Sequence, residues 1–130
     1  MWFDGEMTSA YQNGIKLAIE DCGYEPKKID AEEYLGDVID KIMAEIRESR
    51  FVVADLTGNR NGVYFEAGFA AGLEIPVVWT CRKDWKEQIH FDATHFNRIQ
   101  WETPQELCER LKTRIIATIG RGPLNPVNER

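Results

Sequence analysis

The sequence predicts an α/β fold with a parallel sheet. Short runs of β-branched apolar residues, such as FVVA at 51–54 and PVVWTC at 76–81, are typical of strands buried on both faces of such a sheet. Between them lie longer segments whose apolar residues recur every three or four positions, as in amphipathic helices. Strands that alternate with helices give parallel sheets with right-handed crossovers. We therefore expect a flavodoxin-like or Rossmann-like sheet of about four to five strands flanked by helices.

The first half of the chain predicts two helices and a weak strand. Residues 7–22 repeat apolar side chains at helical spacing and are followed by Gly23, which favours a helix end there. Residues 24–29 predict a weak strand, and Pro26 would place it at the edge of the sheet. The second helix is indicated by the apolar positions Val38, Ile39, Ile42, Met43 and Ile46.

The second half predicts three strands and two helices. After the strand at 51–54 comes a helix that carries Glu66, and strands follow at 76–81 and 97–101. Residues 103–106, Thr-Pro-Gln-Glu, form a capping box with proline at the first helical position. The final helix is expected to bury Leu107, Leu111, Ile115 and Ile119.

Two carboxylates mark a candidate site. Asp55 ends the strand at 51–54, and Glu66 falls in the first turn of the next helix. Ligands of open α/β sheets bind at the carboxyl ends of the strands, so both carboxylates should point into one crevice. An acidic residue in a first helical turn gains about 0.3–1 kcal/mol from the helix dipole alone. A carboxylate among Tyr64, Phe65, Gly68 and Phe69 can instead have a raised pKa or attack a sugar carbon, and the local pattern leaves both interpretations open.

The loop between the two carboxylates is polar and glycine-bearing. Asn59 and Asn61 are typical turn residues, and their backbone N–H groups at the mouth of a helix can also bind an anion or a ribose hydroxyl. No lysine follows Thr57-Gly58 in the place that a P-loop requires.

The segment ADLTGNRNGVYFEAGFAAGLEIPVV, residues 54–78, resembles the core motif of the nucleoside 2-deoxyribosyltransferase family. The resemblance implies that Glu66 is the nucleophile that attacks the anomeric carbon. It also matches Trp2 and Phe3 to the aromatic pair that lines the base pocket, and Asp40 to a carboxylate that helps with proton transfer to the departing base. The substrate-binding positions that it implies are Trp2, Phe3, Asp55, Gly58, Asn59, Arg60, Asn61 and Gly62.

This resemblance implies N-glycosyl transfer or hydrolysis on nucleosides or deoxynucleosides, through a glycosyl-enzyme ester, with the base exchanged or released in purine or pyrimidine salvage. The implied partners are a small-molecule nucleoside or nucleotide, a free base, and further copies of the chain in a homo-oligomer. No cofactor and no metal are needed. Asp55 is expected to hold sugar hydroxyls or to orient its neighbours.

One departure from the family pattern and one further resemblance keep alternatives open. Arg60 stands where the transferases often carry an acidic or small hydroxyl residue, so it either reads a phosphate or carboxylate or is a solvated loop arginine. The stretch HFDATHFNRIQW, residues 90–101, resembles TIR-like relatives of the superfamily, which implies an N-glycosidase acting on NAD or a nucleotide. A non-catalytic nucleotide-binding module is the third possibility.

The start and end of the sequence carry two further expectations. The sequence begins at Met1-Trp2, after the point where the family's first strand should lie, and in a flavodoxin-like order that strand is central. Its loss would leave a gap with unpaired backbone groups, so we expect either a truncated start or another segment or subunit that fills the gap. Residues 1–120 are expected to form one domain, and residues 121–130 an extended or disordered tail.

Composition limits the remaining classes. The 130 residues carry a formal net charge of −6, and the basic residues are dispersed, which argues against nucleic acid as a partner. No apolar run approaches a membrane span, and residues 1–30 show no signal-peptide pattern. The cysteines, Cys22, Cys81 and Cys108, are typical of reduced, buried thiols in a cytoplasmic protein. His90 and His95 lack further ligands at metal-binding spacing and are interpreted as hydrogen-bonding surface residues.

Overall fold

The computed structural model describes residues 5–28, 38–57, 61–84 and 98–124 of the chain. The N-terminal helix consists of α1 (Gly5–Ala10), a π-helical turn (Tyr11–Ile15) and α2 (Lys16–Asp21). Then follow α3 (Val38–Arg47), β1 (Val52–Asp55), α4 (Asn61–Gly72), β2 (Val77–Arg82), β3 (Ile99–Trp101) and α5 (Pro104–Thr118).

The described strands form one parallel sheet in the order β1-β2-β3. Val52 pairs with Val77, and Thr80 pairs with Ile99. The predicted parallel α/β architecture is confirmed, but the described sheet has three strands and not the four to five that we expected. Residues 24–28 are one cause, because they form no strand: Pro26 has no N–H to give to a ladder, and no neighbouring strand pairs with them.

Helices cover both faces of this sheet. One face packs against the N-terminal helix and α5, in a core that includes Met7, Val78, Trp101, Leu107 and Leu111. The other face packs against α4, where Val63 and Ala67 meet Ala54 and Trp79. α3 packs beside α4 through Ile42, Ile46 and Ala70. Neighbouring residues of β2 thus point into different cores, as the alternation of a strand requires.

The N-terminal helix confirms the prediction for residues 7–22, with a π-helical turn at its centre. Gly14 lies in that turn, and a Cβ added there would be 2.8 Å from Cδ2 of Leu107. Only glycine therefore lets this helix lie so close to α5. The helix ends before Gly23, whose φ of +92° is a conformation that glycine adopts without strain.

The predicted capping box at the start of α5 is confirmed. Thr103 Oγ1 accepts a hydrogen bond from the backbone N–H of Glu106 at 3.1 Å, and the backbone N–H of Glu102 donates to Glu106 Oε1 at 2.7 Å. Leu107, Leu111 and Ile115 are buried as expected, and Ile119 is half-buried.

The beginning of the expected tail is docked onto the fold. The backbone N–H of Gly122 donates to Cys22 O at 2.8 Å, and that of Leu124 donates to Gly23 O at 3.0 Å. A Cβ on Gly122 would collide with the Gly23 carbonyl, so this contact needs glycine. Residues 121–124 thus extend along the helix end, and the rest of the expected tail lies outside the described residues.

Two further expectations concern the whole chain. Among the helices described, none combines the length and apolar character that crossing a membrane demands. The three cysteines are free and buried, as the sequence predicts.

Candidate functional site

Asp55 lies at the carboxyl end of β1 and is the centre of a buried hydrogen-bond network. Its side chain is only 1% exposed. Oδ2 accepts hydrogen bonds from Thr80 Oγ1 at 2.5 Å and from Trp101 Nε1 at 2.9 Å. Oδ1 accepts one from the backbone N–H of Thr57 at 3.0 Å. The carboxylate therefore ties the ends of all three described strands together.

The network continues beyond the carboxylate. Thr57, which is fully buried, accepts a hydrogen bond on Oγ1 from the backbone N–H of Arg82 at 2.8 Å. Cys81 lies beside this network, and burial, together with the negative charge of Asp55, raises the pKa of its thiol to about 12. The thiol thus stays protonated at neutral pH and is not a nucleophile there.

These contacts favour one of the two roles expected for Asp55. A carboxylate that is buried and accepts three hydrogen bonds from protein donors orients its neighbours, and it has little surface left for a sugar hydroxyl. The sequence pattern places Trp101 at the end of a strand and does not indicate its hydrogen bond to Asp55. A buried indole usually finds an acceptor for its N–H, and that rule is the signal that points to such a contact.

Glu66 occupies a different environment on α4. The buried face of this helix carries Val63, Ala67 and Ala70, and Glu66 is half-buried next to that face. The prediction that Glu66 lies in the first turn is wrong, because α4 begins at Asn61 and places Glu66 in its second turn. The helix dipole acts mainly within the first turn, so it does not account for a carboxylate at this position.

A cleft of about 390 Å³ joins the two carboxylate positions. Its wall is formed by Asp55, Val63, Glu66 and Ala67 at the carboxyl end of β1 and on α4. The structure therefore brings Glu66 to the cleft at the strand end, where the sequence predicts a crevice. Lys27, Lys28 and Arg50 also contribute to the wall.

Among the described residues, the aromatic side chains on α4 and those in the cleft wall are different sets. Phe65 is 44% exposed and stacks on Phe69 at a centroid distance of 6.5 Å, and neither ring lines the cleft. Tyr11, Tyr24 and Phe51 line it instead. Helical spacing alone does not show which face of α4 meets the cleft, so the aromatic residues expected around Glu66 need not line it.

Two of these cleft aromatics contact each other. Tyr24 and Phe51 make an edge-to-face contact with centroids 5.1 Å apart, and the Tyr24 hydroxyl donates to Gly120 O at 2.6 Å. Tyr11 lies in the π-helical turn, and burial, followed by the charge of Glu20, raises the pKa of its phenol. Tyr11 belongs to the helical repeat of residues 7–22, and the structure places it half-buried in the cleft wall.

The structure does not bring the other predicted site residues that it describes together in the way that it does Asp55 and Glu66. Asp40 lies in the first turn of α3, where it is exposed and does not line the cleft. Asn61 and Gly62 form the start of α4. The remaining predicted substrate-binding positions, Trp2, Phe3, Gly58, Asn59 and Arg60, lie outside the described residues, as do His90 and His95.

Within the described ranges, no three His, Cys, Asp or Glu side chains come together in a way that could hold a metal ion. Comparison of the chain with known protein families, with characterised proteins and with solved structures found no match.

Proposed function

We propose that this protein transfers or hydrolyses N-glycosidic bonds of nucleosides or deoxynucleosides, with Glu66 as the nucleophile. The observation that carries the proposal is the position of Glu66, half-buried in the wall of a cleft at the carboxyl end of a parallel strand. Because Glu66 lies in the second turn of α4, the helix dipole does not by itself account for a glutamate at this position. The sequence resemblance to the nucleoside 2-deoxyribosyltransferases points to the same residue.

The chemistry proceeds in two displacements at the anomeric carbon. Glu66 attacks that carbon while the C–N bond breaks and its electron pair leaves with the base, through an oxocarbenium-like transition state. The product of this step is a glycosyl ester on Glu66. A second base or a water molecule then attacks the same carbon, loses its proton, and releases the carboxylate. Attack by a base gives transfer, and attack by water gives hydrolysis.

Asp40 and Asp55 have separate places in this proposal. Asp55 fixes the strand ends that support the cleft, through its bonds to Thr80 and Trp101. The role of Asp40 in moving the proton of the base stays a prediction, because its side chain does not line the cleft. An Asp40→Asn variant tests that role: a proton donor matters most for poor leaving-group bases, whereas a surface residue affects all bases alike.

A phosphorylated substrate is the second candidate. Lys28 and Arg50 contribute to the cleft wall, and they favour a nucleotide or a dinucleotide such as NAD. The wall also carries glutamates, and one of them, Glu45, pairs with Lys27 at 3.3 Å. Arg60 is a further expected phosphate contact. The proposed setting remains that of a cytoplasmic homo-oligomer that handles small nucleosides or nucleotides and free bases, with no cofactor, as the resemblance implies.

The test is to incubate the protein with deoxynucleosides, nucleoside monophosphates and NAD, and to separate the released bases by chromatography. We expect base release from at least one donor, and a new nucleoside when adenine or cytosine is added as acceptor. Release from NAD or monophosphates alone would favour the second candidate. If no donor releases its base, while a nucleotide still raises the melting temperature, the protein is a binding module and the proposed chemistry is wrong.

A further inference from the structure

The two edges of β1 differ in their hydrogen bonding. The backbone N–H of Val52 donates to Pro76 O at 2.9 Å, and that of Leu56 donates to Thr80 O at 2.8 Å, so alternate residues of β1 face β2. In a parallel ladder the residues between them turn their N–H and C=O groups to the opposite side. Those residues are Val53 and Asp55. Among the described strands, β2 is the sole neighbour of β1, so this second edge pairs with no strand.

This second edge opens into the cleft, which is lined by all of residues 51–55. Helices flank this cleft on both sides of the plane of the sheet. Ile15 and Ile19 of the N-terminal helix form one cover, on the side where Val53 packs. Val63 and Ala67 of α4 form the other, on the side where Ala54 packs. Residues 24–28 complete the wall. We call this space beside β1 the strand slot.

The size of the strand slot fits an extended chain. A strand residue in a sheet covered on both faces takes up roughly 160 Å³, since strands rise about 3.3 Å per residue, lie about 4.8 Å apart and form layers about 10 Å thick. The cleft volume of about 390 Å³ thus corresponds to two or three such residues. The slot is therefore shorter than β1, which has four residues, and a segment in it would pair with part of that edge.

We propose that the strand slot binds an extended polypeptide segment rich in β-branched residues, which adds to β1 as a further strand of the sheet. Two features select this occupant. The slot presents backbone donors and acceptors at the spacing of a strand, which another extended backbone matches. Ile15 and Ile19 on one cover and Val63 and Ala67 on the other are apolar, so an inserted strand needs apolar side chains where it meets them, as in buried parallel strands.

A second folded copy of this chain fits the slot less well. Each strand described is already covered by helices, and the slot has the thickness of one strand between its own helices. An isolated segment can enter such a space, whereas the edge of a helix-covered sheet would collide with the covers. The proposal does not depend on the glycosidic chemistry, because strand addition uses the backbone of β1 and not the carboxylate of Glu66. Both carboxylates and the slot border one cleft, so a bound strand and a bound nucleoside would compete for it.

The experiment uses the full chain and a synthetic peptide with three consecutive valines flanked by lysines, capped at both ends. The matched control replaces the middle valine by proline, which cannot donate to a ladder. Binding is measured by titration, and hydrogen exchange of single amides is followed by NMR. A variant, Val53→Pro, removes the edge-facing N–H of β1 and leaves the donors that face β2 intact.

We expect the valine peptide to bind and to slow the exchange of the Val53 and Asp55 amides, while the amides of Val52 and Ala54, which face β2, change little. The proline peptide should bind the wild type at least about tenfold more weakly than the valine peptide does, since ladder hydrogen bonds are lost. The valine peptide should bind Val53→Pro more weakly than the wild type by the same factor. Glu74→Gln, at an exposed residue that does not line the cleft, should bind the peptide as the wild type does.

Three results would overturn the proposal. One is equal binding of the valine and proline peptides, or no binding of either. Another is protection of Val53 and Asp55 that rises with protein concentration in the absence of peptide, which would identify a second copy as the occupant. The third is protection of the same two amides by a nucleoside, which would assign the whole slot to a small molecule.

Discussion

Asp55 and Glu66 are two carboxylates that border the same cleft, and the structure gives them opposite surroundings. Asp55 is 1% exposed and accepts hydrogen bonds from Thr57, Thr80 and Trp101. Glu66 is half-buried beside the apolar face of α4 and lines the cleft. A carboxylate whose oxygens are engaged by buried donors stabilises the fold, and one that borders a cleft can react. The comparison thus sets a carboxylate with an observed structural role beside the one for which we propose a chemical role.

Among the variants that test this comparison, Asp55→Ala is expected to cause the largest loss in the free energy of unfolding. The substitution leaves the Thr80 hydroxyl and the Trp101 indole N–H buried without their acceptor. We expect the free energy of unfolding to fall by about 3–5 kcal/mol, measured by denaturant titration. Asp55→Asn keeps one side-chain oxygen and should cost less. A loss below about 1 kcal/mol for Asp55→Ala would contradict the structural role.

The next effect concerns activity. Glu66→Gln keeps the shape of the side chain and removes the nucleophile. We expect the rate of base release to fall at least about a hundredfold, which corresponds to about 2.7 kcal/mol of barrier, with the melting temperature nearly unchanged. Glu74→Gln is the matched control, because Glu74 is exposed just beyond the end of α4. Equal rates for the wild type and Glu66→Gln would remove the proposed nucleophile.

The smallest effect is expected from Thr80→Val, which keeps the side-chain volume and removes the hydroxyl that donates to Asp55. We expect a loss of about 1–1.5 kcal/mol in the free energy of unfolding, the usual net value of a hydrogen bond. The double variant with Asp55→Ala should lose less free energy of unfolding than the sum of the two single losses, because both substitutions remove the same Thr80–Asp55 hydrogen bond. Strict additivity would mean that the two side chains do not interact.

Much of the fold could be predicted because local rules govern it. The capping box at Thr103, the helix end at Gly23 and the β-branched runs at 51–54 and 76–81 each act through their nearest neighbours in the chain. The number of strands could not be predicted in the same way. Residues 24–28 carry a weak strand pattern, but a strand also needs a partner, and the pattern of one segment does not supply it.

The candidate site could be predicted in its position and only partly in its members. Asp55 and Glu66 were placed at one crevice because parallel strands end at a common edge. The partners of Asp55 could not be named, because Thr80 and Trp101 lie 25 and 46 residues further along the chain. The cleft aromatics Tyr24 and Phe51 were missed for the same reason, since they meet across the gap beside β1.

The most direct test of the central claim, that Glu66 is the nucleophile, is to detect the glycosyl ester itself. The donor is a 2-deoxy-2-fluoro nucleoside with a good leaving-group base, because the fluorine disfavours the oxocarbenium-like state and slows breakdown of the ester. Mass spectrometry of the intact protein, followed by peptide mapping, locates the adduct. We predict one glycosyl group on the peptide that contains Glu66, and none on Glu66→Gln. An adduct on any other residue, or base release from the wild type with no covalent adduct, would contradict the account.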